Sequence, residues 1–268
     1  MRRKMRKAAF AAPFLFGPVM ARAQSGNDFS APRNAVVDAS GARSVRVEAG
    51  AGILRVEGKA GITQVQIKGM AWASSREILN DIKLVVERRG SEIFIKTDLP
   101  ESNFIWGRGD WSAALDLTVE VPQGLDASVY DGSGATEIRN VGTLEATDGS
   151  GDLQVDGAKS VRITDGSGSL VIKNISGDVK VRDGSGDIEA RNVAGSFTVE
   201  SDGSGGIFAS DIKGSVVVEH DGSGEINASR VGRDLVVESK GSGEVTYNGV
   251  TGRVDVPERR RSRSRNNY

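Results

Sequence analysis

The sequence predicts an all-β fold: a right-handed parallel β-helix with turns of 17–19 residues and an irregular β-rich cap at its N-terminal end. Three observations carry that expectation. Asp-Gly-Ser-Gly occurs six times, beginning at Asp131, Asp148, Asp165, Asp183, Asp202 and Asp221, and Lys-Gly-Ser-Gly follows at Lys240. The seven corners are spaced by 17, 17, 18, 19, 19 and 19 residues, a period that marks a repeat array. Short runs of alternating apolar and polar residues flank every corner, and alternation with period two marks half-buried strands.

Each repeat reads the same way. A first run leads into the corner, as in Val161-Arg162-Ile163, Val179-Lys180-Val181 and Phe197-Thr198-Val199. A second leaves it, as in Leu170-Val171-Ile172, Ile188-Glu189-Ala190 and Ile207-Phe208-Ala209. A further apolar residue follows three positions on (Ile175, Val193, Ile212, Val231, Val250), and then a second glycine corner. Two or three strands in so few residues cannot enclose a core alone. They can if each repeat coils once and stacks on the next, with equivalent strands parallel and about 4.8 Å apart. Parallel crossovers are nearly always right-handed, hence the expected hand. A left-handed triangular solenoid has 18-residue turns too, but it needs a strict six-residue apolar repeat that is absent here.

Residues 35–125 alternate less regularly, in Val45–Val47, Ile53–Val56, Ile62–Ile67, Ile82–Val86, Ile93–Ile95 and Leu115–Val121. Arg89-Gly90-Ser91 between two such runs predicts a hairpin, and Ser75–Asn80 a short helical turn. This segment is expected to cap the solenoid, since open strand edges invite aggregation. It should then run continuously into the array of residues 126–256. Residues 24–34 read as a disordered linker. Val256-Pro257 should end the ladder, because proline cannot donate to it. Residues 257–268 read as a disordered arginine-rich tail.

Composition narrows function. The 268 residues include no Cys and a single His, His220, which excludes disulfides, thiolate metal sites, cysteine nucleophiles and two-histidine metal sites. Arg2, Arg3, Lys4, Arg6 and Lys7 precede the apolar stretch 8–20, and Ala21-Arg22-Ala23 supplies small residues at a cleavage position. That is the layout of a secretory signal peptide over residues 1–23. Thirteen apolar residues interrupted by Pro13 and Pro18 are too few to span a bilayer, and no later stretch predicts a transmembrane segment. Six of the 35 basic residues and none of the 36 acidic ones lie in this leader, so the exported chain carries −7. Arg259, Arg260, Arg261, Arg263 and Arg265 stand against Glu258 in the tail, so the body alone carries −11. An exported acidic body does not suit nucleic acid, whereas the tail suits an anionic surface.

The repeated x-Gly-Ser-Gly-x-[Ile/Leu] corners resemble those of the bacterial putative-adhesin family, exported proteins of unknown function. The segments Ser44-Val45-Arg46-Val47 and Leu115–Pro122 fit its N-terminal part, so the resemblance spans roughly residues 35–256. It implies a right-handed β-helical body and an envelope location, and supplies no catalytic or binding residues.

Three sets of residues remain as candidate sites. The aspartates of the corners would stack about 5 Å apart, with neighbours repelling by about 0.8 kcal/mol in water. Either each carboxylate folds onto the N–H groups of its own turn, or Ca²⁺ bridges successive members. Lys240 closes the column and could pair with Asp221. The corner serines, Ser133 to Ser242, lack bases, since one imidazole can serve at most one of them. His220 reads as an exposed strand-end residue. Trp106, Arg108 and Trp111, in the least repetitive segment, form either an end plug or a contact surface for a protein or glycan; Arg108-Gly109-Asp110 alone is weak evidence. No cofactor is expected. The resulting expectation is a non-enzymatic exported adhesin or scaffold of the periplasm or cell surface. Its alternatives are a polysaccharide-active enzyme on a β-helix and a Ca²⁺-responsive module.

Overall fold

The structure is a computed structural model, and it describes residues 29–100 and 111–257. Two sheets run side by side along a stack of coils, and each coil contributes one strand to each sheet.

The N-terminal part comprises β1 (Phe29–Pro32), β2 (Ala35–Asp38), β3 (Ser44–Ala51), β4 (Leu54–Lys59), β5 (Gln64–Ala73), α1 (Arg76–Asp81), β6 (Lys83–Arg89), β7 (Glu92–Asp98) and β8 (Ala113–Pro122). The expected helical turn is α1, capped by Ser75, whose hydroxyl accepts from the Ile78 amide at 3.2 Å. The expected hairpin joins β6 to β7, with Arg89 opposite Glu92.

The repeat half alternates between the sheets. One sheet receives β9 (Asp126–Ser133), β11 (Thr143–Asp148), β13 (Ser160–Asp165), β15 (Val179–Asp183), β17 (Phe197–Asp202), β19 (Val216–Ser223), β21 (Leu235–Ser242) and β23 (Val254–Asp255). The other receives β10 (Thr136–Arg139), β12 (Leu153–Ala158), β14 (Leu170–Ile175), β16 (Ile188–Val193), β18 (Ile207–Ile212), β20 (Ile226–Val231) and β22 (Val245–Val250). Every neighbouring pair among these strands is parallel. The solenoid and its stacked corners are therefore as the repeat predicts.

The unequal repeat lengths do not disturb the stack. Ala158 and Val161 bracket two residues, whereas Ile175 and Val179 bracket three, so the step from 17 to 18 falls in the second corner. The step from 18 to 19 is a β-bulge: Arg182 pairs with Ser201, leaving Glu200 extra. Added residues leave the ladder at defined points, and Asp165, Asp183, Asp202 and Asp221 remain aligned.

Two expectations about the N-terminal part need correction. Residues 24–34 are not wholly linker, because Phe29–Pro32 pairs antiparallel with β5. Nor does the chain enter the array continuously. The coil made by β3 and β4 lies between the coil of β7 and β8 and the coil of β9 and β10. The chain thus lays down β3 and β4, moves outward, returns with β7 and β8, and then crosses the first coil to begin the repeats. This order locks the cap to the array, since β3 and β4 each pair with strands far away in sequence. Antiparallel β1, β2, β5 and β6 lie at the outer end.

The core consists of in-register apolar columns. One runs Val161, Val179, Phe197, Val216, Leu235, and another Leu153, Leu170, Ile188, Ile207, Ile226; all are at most 4% exposed. Parallel packing lets like stack on like, so each coil covers the apolar face of its neighbour.

The candidate site: a buried ladder of aspartates

The Gly-Ser-Gly corner explains its own composition. Gly151, Gly168, Gly186, Gly205, Gly224 and Gly243 have φ between +127° and +153°, which L side chains rarely adopt. A Cβ on any of them would also overlap the carbonyl oxygen of the equivalent glycine one coil below. The corners stack so closely that only a hydrogen fits. Amides continue the stack through the corner: Gly151 donates to the Ser167 carbonyl at 2.9 Å and Gly168 to that of Ser185 at 3.1 Å.

The preceding aspartate turns inward. Asp131, Asp148, Asp165, Asp183, Asp202 and Asp221 are each only 1–6% exposed. They lie in one register column, with Lys240 at the next position. Alternation places them there: in Val161-Arg162-Ile163-Thr164-Asp165, the first, third and fifth residues share a face. Thr136 donates its hydroxyl to Asp131 Oδ2 at 3.0 Å. The other eleven carboxylate oxygens of the column have no hydrogen-bond partner. The following Gly and Ser amides lie near enough to favour the charged form of Asp148, Asp165 and Asp183, but none reaches hydrogen-bond geometry. The turn-capping expectation is therefore not met at these residues. Lys240 does not form an ion pair with Asp221 either; its Nζ donates to the Gly243 carbonyl at 2.8 Å.

Capping carboxylates lie elsewhere. Asp126 Oδ1 accepts from the Thr143 amide at 2.7 Å, Asp178 Oδ1 from Ser196 at 2.8 Å, Asp187 Oδ1 from Gly206 at 2.8 Å and Asp234 Oδ1 from Arg253 at 2.7 Å. Each joins one coil to the next.

Burial without partners changes the acidity of the ladder. Burial, reinforced by Asp131 and Asp165, pushes Asp148 up to about 7. Burial, with Asp165 and Asp202 adding repulsion, does the same to Asp183. Asp131 and Asp202 are pushed up to about 6, chiefly by burial; Thr136 opposes the shift at Asp131, and Asp221 adds to it at Asp202. Asp165 and Asp221 are raised by burial as well, with Lys240 pulling the other way at Asp221.

Sequence reasoning missed a second column. Asn140, Asn174, Asn192, Asp211 and Arg230 have φ of +53° to +58°. With Gly157 and Gly249 they occupy the left-handed kink at the end of the second strands, where among non-glycine residues asparagine is tolerated best. Asn192 donates to Asn174 at 2.6 Å, and Asn174 to Asp156 at 2.7 Å. Arg230 grips Asp211 through two bonds of 2.6 Å. The signal was present, since this position precedes the apolar residue that closes each repeat.

Outward-facing residues form columns of mixed chemistry. One runs Glu137, Gln154, Val171, Glu189, Phe208, Asn227 and Thr246. His220 is exposed, as expected. Among the candidate contact residues, Trp111 is 44% exposed; Trp106 and Arg108 lie outside the described residues, as do all five tail arginines. Among the described residues no helix is long and apolar enough to cross a membrane, and no three His, Cys, Asp or Glu converge as metal ligands would.

Known structures place this fold. A putative adhesin from Bacteroides fragilis is similar over 85% of this chain and 97% of its own, with a TM-score of 0.51 and 15% identity. A putative lipid binding protein from Parabacteroides distasonis matches over 87% of this chain and 98% of its own, at a TM-score of 0.48 and 14% identity. A putative adhesin from the same species matches over the same shares, at 0.42 and 10%. No protein-family model and no curated protein matches the chain. The class so defined is that of β-solenoids built like the Bacteroides fragilis protein, and at 15% identity the likeness is one of fold.

Proposed function

We propose that the chain is an exported, non-enzymatic, adhesin-like protein of the cell envelope, a rigid rod that offers repeated faces to a glycan or envelope protein. The observation that carries this reading is the alignment of outward side chains into columns running the length of the stack. Contacts repeated at a fixed spacing add up without any one of them being strong. The leader pattern and the shared fold support the reading, and exposed Trp111 offers an anchor. The arginine tail provides a further contact with anionic lipid or polysaccharide.

The test expresses the chain with its own leader and displays it on non-adherent cells over immobilised envelope glycans. The reading expects a processed N-terminus at Gln24, attachment to at least one surface, and weaker attachment when coils are removed from the C-terminal end. An unprocessed cytosolic protein, or release of sugar fragments from the polysaccharides, overturns it.

A further inference from the structure

Six carboxyl groups are stacked inside a protein whose exported body is acidic, and their surroundings offer almost nothing to balance them. Thr136, which meets Asp131, heads a register column that continues through the buried, apolar Leu153, Leu170, Ile188, Ile207 and Ile226, the first residues of the strands that follow each corner. The charged groups acting on the column are its own members, Asp152 beside Asp165, Asp187 beside Asp202, and Lys240 below Asp221. Two of these three flanking groups are themselves acidic.

A buried charge without a partner is too costly to persist, so something neutralises the column. A metal ion fits poorly. Calcium takes six to eight oxygens, whereas each gap in the column offers two carboxyl groups, and no third acid converges on it. A proton needs no further ligands. Register neighbours are about 4.8 Å apart, so a carboxyl oxygen leaning up can meet one leaning down in an O–H···O⁻ hydrogen bond, among the strongest available. Across its five gaps the column itself then pairs ten of the eleven unpartnered oxygens, leaving one on Asp221, which is followed in register by Lys240.

We propose that Asp131, Asp148, Asp165, Asp183, Asp202 and Asp221 form a proton-holding ladder, in which neighbouring carboxyls share protons at neutral pH and the repeat half loosens as they are withdrawn. The raised acidity constants agree in sign. A group that holds its proton more tightly when folded stabilises the fold fully at low pH, and loses that contribution as pH rises through its folded value. Here the loss begins above the ordinary value of 3.8 and is complete beyond about 7. The rod would be firmest in a mildly acidic environment.

The test uses the processed chain, residues 24–268, with His220→Gln so that no imidazole titrates in the window. Urea unfolding from pH 5 to pH 9 should show the ratio of folded to unfolded protein falling at least tenfold per pH unit between pH 5 and 7, one net proton giving tenfold. Asp148→Asn with Asp183→Asn should flatten that slope. Infrared spectra at pH 7, which need no variant, should show the carbonyl stretch of protonated carboxyl groups buried in the fold. A slope of zero, or a pH 7 spectrum with ionised carboxylates only, overturns the proposal. So does a large rise in melting temperature with millimolar Ca²⁺ that the paired Asn variant abolishes, because the column would then be a metal site.

Discussion

Gly168→Ala should be among the most damaging single-atom changes available in this protein. Gly168 has φ of +132°, and its new methyl group would overlap the Gly151 carbonyl oxygen one coil below. Holding a non-glycine residue in that region costs about 1–3 kcal/mol. Relieving the overlap means parting two coils at the corner. That weakens the bonds from Gly151 to Ser167 at 2.9 Å and from Gly166 to the Asp148 carbonyl at 3.0 Å, each worth about 0.5–1.5 kcal/mol. Together the loss is about 2–6 kcal/mol, or about 10 °C in melting temperature for a chain of this size. Ser167→Ala, one residue away, is the control. Its half-buried hydroxyl makes no hydrogen bond among the described residues, and its loss should cost less than about 0.5 kcal/mol. Urea unfolding followed by circular dichroism measures both. Equal, small effects would mean that the corners do not lie on one another, and the reasoning about the stack would fail.

Phe197→Ala removes the largest fully buried side chain, at 0% exposure between Val179 and Val216, and should cost about 3–5 kcal/mol in the same assay. Glu200, the bulge residue, is held below the usual carboxylate range by Arg182 at 2.5 Å and Arg162 at 3.4 Å. Its contribution is present above the unfolded value of 4.5 and is lost as pH falls through the lower folded one, so Glu200→Gln should remove part of the acid limb of the stability profile while costing far less than Phe197→Ala at pH 7. Asn174→Ala should destabilise more than Asn174→Gly, since the kink at φ +57° suits glycine, and thermal melts of the pair check the order.

Much of this fold was legible because parallel solenoids write their geometry into the period. The seven corners, the alternation around them, the hairpin at Gly90 and the turn at Ser75 all depend on local chemistry, and local chemistry is visible in sequence. The placement of β3 and β4 was not legible. Val45–Val47 reads as any half-buried strand, and nothing in it states whether it pairs with residues 126–133, 92–98 or both. The burial of the aspartates was legible in principle, since the parity of Val161, Ile163 and Asp165 points all three inward. The familiar role of Asp before Gly in turns masked that reading. The contact candidates Trp106 and Arg108 fall outside the described residues, so Trp111 alone has a place in the structure.

The central claim is that equivalent residues of successive repeats lie one strand spacing apart along a straight stack. Electron-spin distance measurement tests it directly, because the chain has no Cys and any introduced pair is unique. Nitroxides at Glu137 and Asn227 are five register steps apart, and at Glu137 and Thr246 six. The stack predicts about 24 Å and about 29 Å, with an increment of about 4.8 Å that cancels the length of the labels. Equal distances, or a second distance shorter than the first, would mean that the repeats turn back on themselves and do not form a rod.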